Sequence, residues 1–279
     1  VHGRAGGRQA MSSRSRRRWA RLLWQALVAC AALFFALPLI ALVTRVSPVT
    51  VAEEMTSYEA RTAIAVSLAA VAAALTLIVV FGTPAAHALA RRDTRAPRTL
   101  EALFDLPLVL PPAVAGIALL AAFGRGGLVG DALAGSGLQI PFTRVAVVLA
   151  LVFVAGPLYV RQAQAAFAAT DRAVLEAAKT SGAGVLTNFW RVELPLARGG
   201  IAAGLALSGA RALGEFGATI MFAGSVVGVT QTITLAIYGS LDGRLEASFA
   251  LATVLLLMTL SLSLLARSIG NRSPDPVTS

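Results

Sequence analysis

Lysine occurs once in these 279 residues, cysteine once and histidine twice. Each scarcity removes a class of chemistry. A single thiol, Cys30, forms neither an internal disulfide nor a thiolate metal cluster. With only His2 and His87 as imidazoles, a histidine-based zinc site is not expected, and neither a metal nor a cofactor is assigned. The lone lysine, Lys179, follows Ala178 and belongs to no Gly-Lys-Ser/Thr loop that could wrap nucleotide phosphates. Energy for any work must therefore come from a partner or a gradient. Charge is scarce as well, at 14% of residues against roughly 25% in a soluble domain. Apolar residues reach 57% before glycine is counted. A water-soluble globule of this length would lack a charged coat, and a disordered chain is poor in apolar residues. The composition is that of an all-α integral membrane protein. The apolar segments hold no paired acids, metal-ligand cluster or Ser/His arrangement, so no catalytic residue is assigned.

Six apolar stretches stand between the charges, at roughly 22–43, 62–88, 106–123, 145–165, 199–223 and 247–266. Each is near the twenty or so residues a helix needs to cross about 30 Å of hydrocarbon. They define a domain of six transmembrane helices over 22–266, between a basic tail at 1–21 and a C-terminal tail at 267–279. The first stretch is far longer than a signal-peptide core of roughly 7–15 residues. It reads as an uncleaved anchor, with Met11 an alternative start to Val1.

The net charge of +10 comes almost wholly from arginine. Six spans place both termini on one side, with the loops after the second and fourth stretches. That side holds 18 of the 24 basic residues, the other side five, and Arg211 lies inside the fifth stretch. Positive residues stay cytoplasmic, so both termini are expected in the cytoplasm of a cell whose inner membrane carries the chain. The basicity is topological, with no role for nucleic acid.

Three stretches depart from plain lipid-facing helices. Pro107, Pro111 and Pro112 break or kink the third, and the fourth carries Gly156 and Pro157. In the fifth, Gly200, Gly204 and Ser208 recur every fourth residue, a small-residue seam for close packing. The fifth also holds Arg211 and Glu215, four apart on one expected helical face. An arginine at mid-bilayer costs about 2.5–3.5 kcal/mol, so it needs a partner or water. The pair reads as a self-neutralising tie, a polar wall on an anion path, or a proton relay. With Gly214, Phe216 and Gly217 it forms a candidate translocation path or gate. His87 reads as interfacial, as do Trp19, Trp24 and Trp190.

The longest loop on the arginine-rich side, 161–198, is the least membrane-like part of the chain. Ala173, Val174, Ala177, Ala178 and Ser181 predict a short helix with a small-residue face, ended by Gly182 and Gly184. Pro195 opens a second element leading into the fifth stretch. Such a loop is either a docking surface for a soluble partner or a solvated connector.

Its spacing carries a resemblance. Glu176-Ala177-Ala178, three residues, Gly182, nine residues, then Val192-Glu193-Leu194-Pro195 resembles the EAA loop of ABC importer permeases, with Val192 for the usual Ile. LPLVLPPAVAGIALLAAFGRGGLVG at 106–130, RALGEFGATIMFAG at 211–224 and GVTQTITLAIY at 228–238 are similar to the molybdate permease branch. The resemblance implies a type I ABC importer permease, non-catalytic and homodimeric. Its implied partners are ATP-binding subunits and an extracytoplasmic molybdate-binding protein. Glu176, Ala177, Ala178 and Gly182 would face the ATPase, with Leu194 and Pro195 closing the motif. Sulfate or tungstate permeases of the same family are the alternative, and a gradient-driven secondary transporter is the alternative of another class.

The arginine asymmetry makes a direct prediction. Single cysteines at Ser13, Thr94 and Thr170 in a Cys30→Ala background are expected to resist an impermeant thiol reagent added outside intact cells. Labelling at any of them would overturn the orientation.

Overall fold

The computed structural model describes residues 13–91, 98–182 and 184–270. The first twelve residues of the basic tail, Arg92 and Arg95, and the C-terminal tail from 271 lie outside them. Among the described residues every regular element is helical. The chain divides into two units, Val1–Ser47 and Pro48–Ser279.

The first unit is one helix, α1 (Ser13–Arg45). From Trp19 onward it carries large apolar side chains on all faces, with Trp24, Phe34 and Phe35 each exposed. An all-round apolar helix of this length is the pattern of a membrane span.

The second unit begins with α2 (Pro48–Glu54) and the long α3 (Tyr58–Ala90). The Ser57 hydroxyl caps α3 by accepting from the Ala60 amide at 3.1 Å. Then come α4 (Arg98–Val109), α5 (Pro112–Phe123), α6 (Gly130–Gly135) and α7 (Arg144–Ala168). Helices α8 (Arg172–Thr180) and α9 (Val185–Asn188) run into a π-helical turn, Phe189–Glu193. The chain continues as α10 (Leu194–Leu213), α11 (Gly217–Ala223), α12 (Ile233–Ser240) and α13 (Leu245–Gly270).

Among the described residues α1, α3, α7 and α13 are long and apolar enough to cross a membrane, and α4 with α5 would make a fifth span. Two of the expected stretches are not single helices. At 106–123 the chain bends by 119° between α4 and α5. Pro112 restricts the residue before it, and Pro111 is accordingly extended at φ −55°, ψ 136°. At 199–223 the helix α10 begins earlier, at Leu194, and stops at Gly214 before α11 starts. The expected loop 161–198 is correspondingly shorter, since α7 runs to Ala168.

Helix α7 is the centre of this unit, with α3, α10, α11, α4 and α5 all packed against it. Alanines line its contact with α3: Ala70, Ala74 and Ala86 on one side, Ala146, Ala150, Ala155 and Ala163 on the other are all buried. Small side chains let two helix axes approach closely where no hydrophobic force distinguishes helix from lipid. The α7–α10 contact is closer still. A Cβ at Gly200 would lie 2.4 Å from the Ala166 Cβ, and one at Gly204 3.0 Å from the Gln162 Cβ. One turn on, the Ser208 hydroxyl donates to the Ala155 carbonyl at 2.8 Å.

This seam is testable. Gly200→Val is expected to lower stability by about 1–3 kcal/mol through overpacking. Gly156→Ala, whose new Cβ would sit 3.7 Å from Ile78, is expected to be tolerated. Thermal unfolding of the two purified variants in detergent compares them, and equal stability would mean the α7–α10 contact is loose.

Candidate functional site

Two groups of residues singled out in the sequence lie at opposite ends of α10. The first surrounds α8. The Asp171 carboxylate accepts from the Ala173 amide at 2.9 Å and starts this helix. Leu175 faces inward at 5% exposed, while Glu176 and Ala177 face out and Ala178 is half-buried. The helix closes with Gly182 at φ +84°, in the left-handed region where a Cβ is strained. Nothing lies within 4 Å of where that Cβ would be. The backbone, and not crowding, requires glycine there.

Beyond it Val185 is 89% exposed, Leu186 71% and Trp190 59%. With Val174 they leave four large apolar side chains exposed on a segment outside the long helices. Leu194 and Pro195 play another part. Pro195 stands in the first turn of α10, where its missing N–H is not needed. The quoted motif thus splits into a first part in which Glu176, Ala177 and Gly182 are exposed, and a second part, with Glu193 buried, that leads into α10.

The second group surrounds the gap between α10 and α11. Arg211 and Glu215 do meet, with Arg211 Nη1 2.6 Å from Glu215 Oε2, an ion-pair contact that is not aligned as a hydrogen bond. They do not share a continuous helical face, because α10 ends at Leu213 and Glu215 lies beyond the break. Glu215 is 1% exposed and its other oxygen accepts from the Ala218 amide at 2.7 Å, capping α11. The Glu215 carbonyl accepts from the Thr234 hydroxyl at 2.7 Å. The guanidinium side is open, with 32% of the Arg211 side chain exposed. Glu215 is therefore an internal fastener, and Arg211 is the partly exposed member of the pair.

The neighbours divide in the same way. Phe216 packs against Tyr238 with the rings tilted by 50° and their centroids 5.0 Å apart. A Cβ on Gly217 would lie 2.8 Å from the Pro112 Cβ, and one on Gly116 2.7 Å from the Ala218 carbonyl oxygen. The α10–α11 break is thus seated directly on the start of α5. Gly214 is exposed and meets only its own helix.

Sequence reasoning missed a third group. Glu193, inside the quoted motif, is buried with His87, Arg91 and Asn188 around its carboxylate. His87, expected to be interfacial, stands half-buried in the last turn of α3 and contacts this carboxylate. The i, i+4 spacing of His87 and Arg91 was visible, but their partner lies over a hundred residues away. Among the described residues no group of His, Cys, Asp or Glu could hold a metal ion.

Residues 78–273 match the family described as binding-protein-dependent transport system inner membrane component. The chain belongs to that family. It is a multi-pass membrane permease of the ABC importer kind, and such subunits are typically non-catalytic. It is 42% identical over 252 residues to the molybdenum transport system permease protein ModB of Mycobacterium tuberculosis, covering 90% of this chain and 94% of that one. It is 30% identical over 258 residues to a probable sulfate transport system permease protein, cysT, of Chlorokybus atmophyticus, covering 91% and 88%. Its fold is similar to a chain in the crystal structure of a bacterial alginate ABC transporter in complex with an alginate-bound periplasmic protein. That likeness has a TM-score of 0.68 and 19% identity, covering 94% of this chain and 97% of that one.

For this permease the unequal exposure of the pair sets an order of stabilities. Arg211→Ala leaves a buried carboxylate without its counter-charge and is expected to cost about 1–3 kcal/mol. Arg211→Ala with Glu215→Ala removes that charge and loses mainly the α11 cap, about 1 kcal/mol. Thermal unfolding of the purified variants checks the order, and a double variant less stable than the single would contradict it.

Proposed function

We propose that the chain is the membrane-spanning subunit of an ATP-driven importer for molybdate, working as a homodimer. The observation that carries this reading is the 42% identity to a molybdenum transport permease along 90% of the chain. The partners are two ATP-binding subunits and an extracytoplasmic molybdate-binding protein, and both chain termini are cytoplasmic. Hydrolysis takes place on the ATP-binding subunits, in keeping with the absence of a P-loop here.

The apolar surface of α8 and α9 is the docking face for the ATP-binding subunit. Its left-handed Gly182 turn sets the angle at which the two short helices present Val174, Val185 and Leu186. The path runs past the α10–α11 break. A dianion crossing hydrocarbon needs polar, hydrated lining that attracts it without holding it in a deep well. Arg211 supplies the attraction, and Glu215, already partnered to it, limits how tightly an anion is held. The 30% identity to a sulfate permease over nearly the whole chain favours sulfate as the second reading, with tungstate as a third oxyanion of the same shape.

The test is reconstitution with the ATP-binding subunit and the binding protein, reading uptake of labelled molybdate and ATPase stimulation. Molybdate is expected to stimulate hydrolysis and to be displaced by tungstate more effectively than by sulfate. Strong competition by sulfate, with molybdate the weaker substrate, would move the assignment to sulfate. Gly182→Leu is expected to insert normally and abolish uptake, since the φ of +84° disfavours any side chain. Normal uptake by that variant would remove the docking assignment. The variant lacking both Arg211 and Glu215 is expected to transport slowly although well folded, and recovery of normal uptake would reduce the pair to a structural tie.

A further inference from the structure

Glu193 is a buried acid in the coupling motif whose surroundings have a consequence of their own. It is 5% exposed, and both carboxylate oxygens are occupied. Oε1 accepts from Asn188 Nδ2 at 3.0 Å, at the end of α9. Oε2 is 2.7 Å from His87 Nε2 and also accepts from Arg91 Nη2. His87 and Arg91 stand one turn apart at the end of α3. The imidazole is held edge-on by two rings, Phe167 of α7 at 5.3 Å and Phe189 of the π turn at 5.1 Å. Glu193 itself closes that π turn, in which the Leu194 amide reaches back to the Phe189 carbonyl. Such turns are rare and concentrate at functional sites.

The other end of α3 is fastened too. Glu59 pairs with Arg244 and accepts from Gln231 Nε2 at 3.2 Å, and the Ser67 hydroxyl accepts from the Ile233 amide at 2.8 Å. Helix α3 is 33 residues long, about 50 Å at 1.5 Å per residue. It is one helix, with Pro84 near its end, joined at one end to the segment that follows α8 and at the other to the segment around α12.

We propose that Glu193 is a positioning residue for coupling: its carboxylate locks the segment after α8 to the last turn of α3. A displacement of α8 is thereby delivered to α3 and along it to residues 231–244. The inference rests on reading α8 as the docking face for the ATP-binding subunit. Its physical basis is that sliding the segment away from α3 would strip the buried Glu193 carboxylate of its counter-charge, which is strongly unfavourable. The two therefore move together.

The experiment uses the permease reconstituted with its ATP-binding subunit and binding protein, with uptake and hydrolysis read from the same vesicles. Glu193→Gln keeps the side-chain volume and removes the charge. The anion moved per ATP hydrolysed is expected to fall by at least about threefold, within the range of substitutions along coupling networks. Arg91→Gln with Glu193→Gln, which leaves no buried charge unpaired, is expected to stay uncoupled. His87→Gln, which retains a donor near the Nε2 position, is expected to hold the ratio within about twofold of the unmodified protein. A purely structural role predicts that uptake, hydrolysis and thermal stability fall together with the ratio unchanged, and that result overturns the proposal. Should Glu193→Gln fail to assemble, His87→Ala decides by the same ratio: a fall supports the proposal and no change overturns it. If the unmodified permease does not bind the ATP-binding subunit, the docking assignment itself fails, and this is seen before any Glu193 variant is compared.

Discussion

The architecture of the main unit depends on how closely backbone can approach backbone around α7. In hydrocarbon, apolar side chains gain nothing by leaving lipid for a neighbouring helix, so association rests on packing and on polar contacts between helices. Alanines on α3 and glycines on α10 let both helices settle against α7, and Ser208 adds a hydroxyl bond to the Ala155 carbonyl. The same device recurs where Gly116 of α5 faces Ala218 of α11. A larger residue at these points would separate the helices and remove dispersion contacts on both sides.

That closeness permits the two helix breaks. A broken helix leaves amides and carbonyls without intrahelical partners, and in an apolar setting each must be satisfied from within the protein. Here the breaks at Leu110–Pro111 and Gly214–Phe216 are brought together through Gly217 against Pro112. Glu215 satisfies the Ala218 amide, and Thr234 satisfies the Glu215 carbonyl. The carboxylate thus completes a helix start as well as neutralising Arg211. A charge that does both is tolerated in a nearly fully buried position, where an isolated one would not be.

At the other end of α10 a second buried carboxylate does comparable work. Glu193 and Glu215 are separated by 22 positions in the numbering, so a partnered acid flanks α10 on either side. Arginine pairs both of them, with Arg91 at the first and Arg211 at the second. Each acid also serves backbone or side-chain geometry nearby, which is why neither can be read as a simple surface ion pair. The exposed apolar residues of α8 and α9 lie beside the first of these acids in sequence, and the open guanidinium of Arg211 lies beside the second. The exposed apolar residues and the open guanidinium thereby stand at separate ends of one element.

Much of this was legible in the chain alone because it repeats with the period of a helix or sits at fixed spacing. Apolar runs near twenty residues, glycine and serine every fourth position, the prolines at 111 and 112, and the spacing from Glu176 to Pro195 are all local patterns. Local patterns survive folding because hydrogen bonding along one helix determines them. The 119° bend, the stop at Gly214 that takes Arg211 and Glu215 off a shared helical face, and the contact of His87 with the buried Glu193 are of another kind. Nothing within a few residues of His87 shows that its imidazole meets a carboxylate 106 positions later. Only the packing of α3, α7 and the π turn against one another decides that, because a buried polar group takes its partner from whatever helix the fold places beside it.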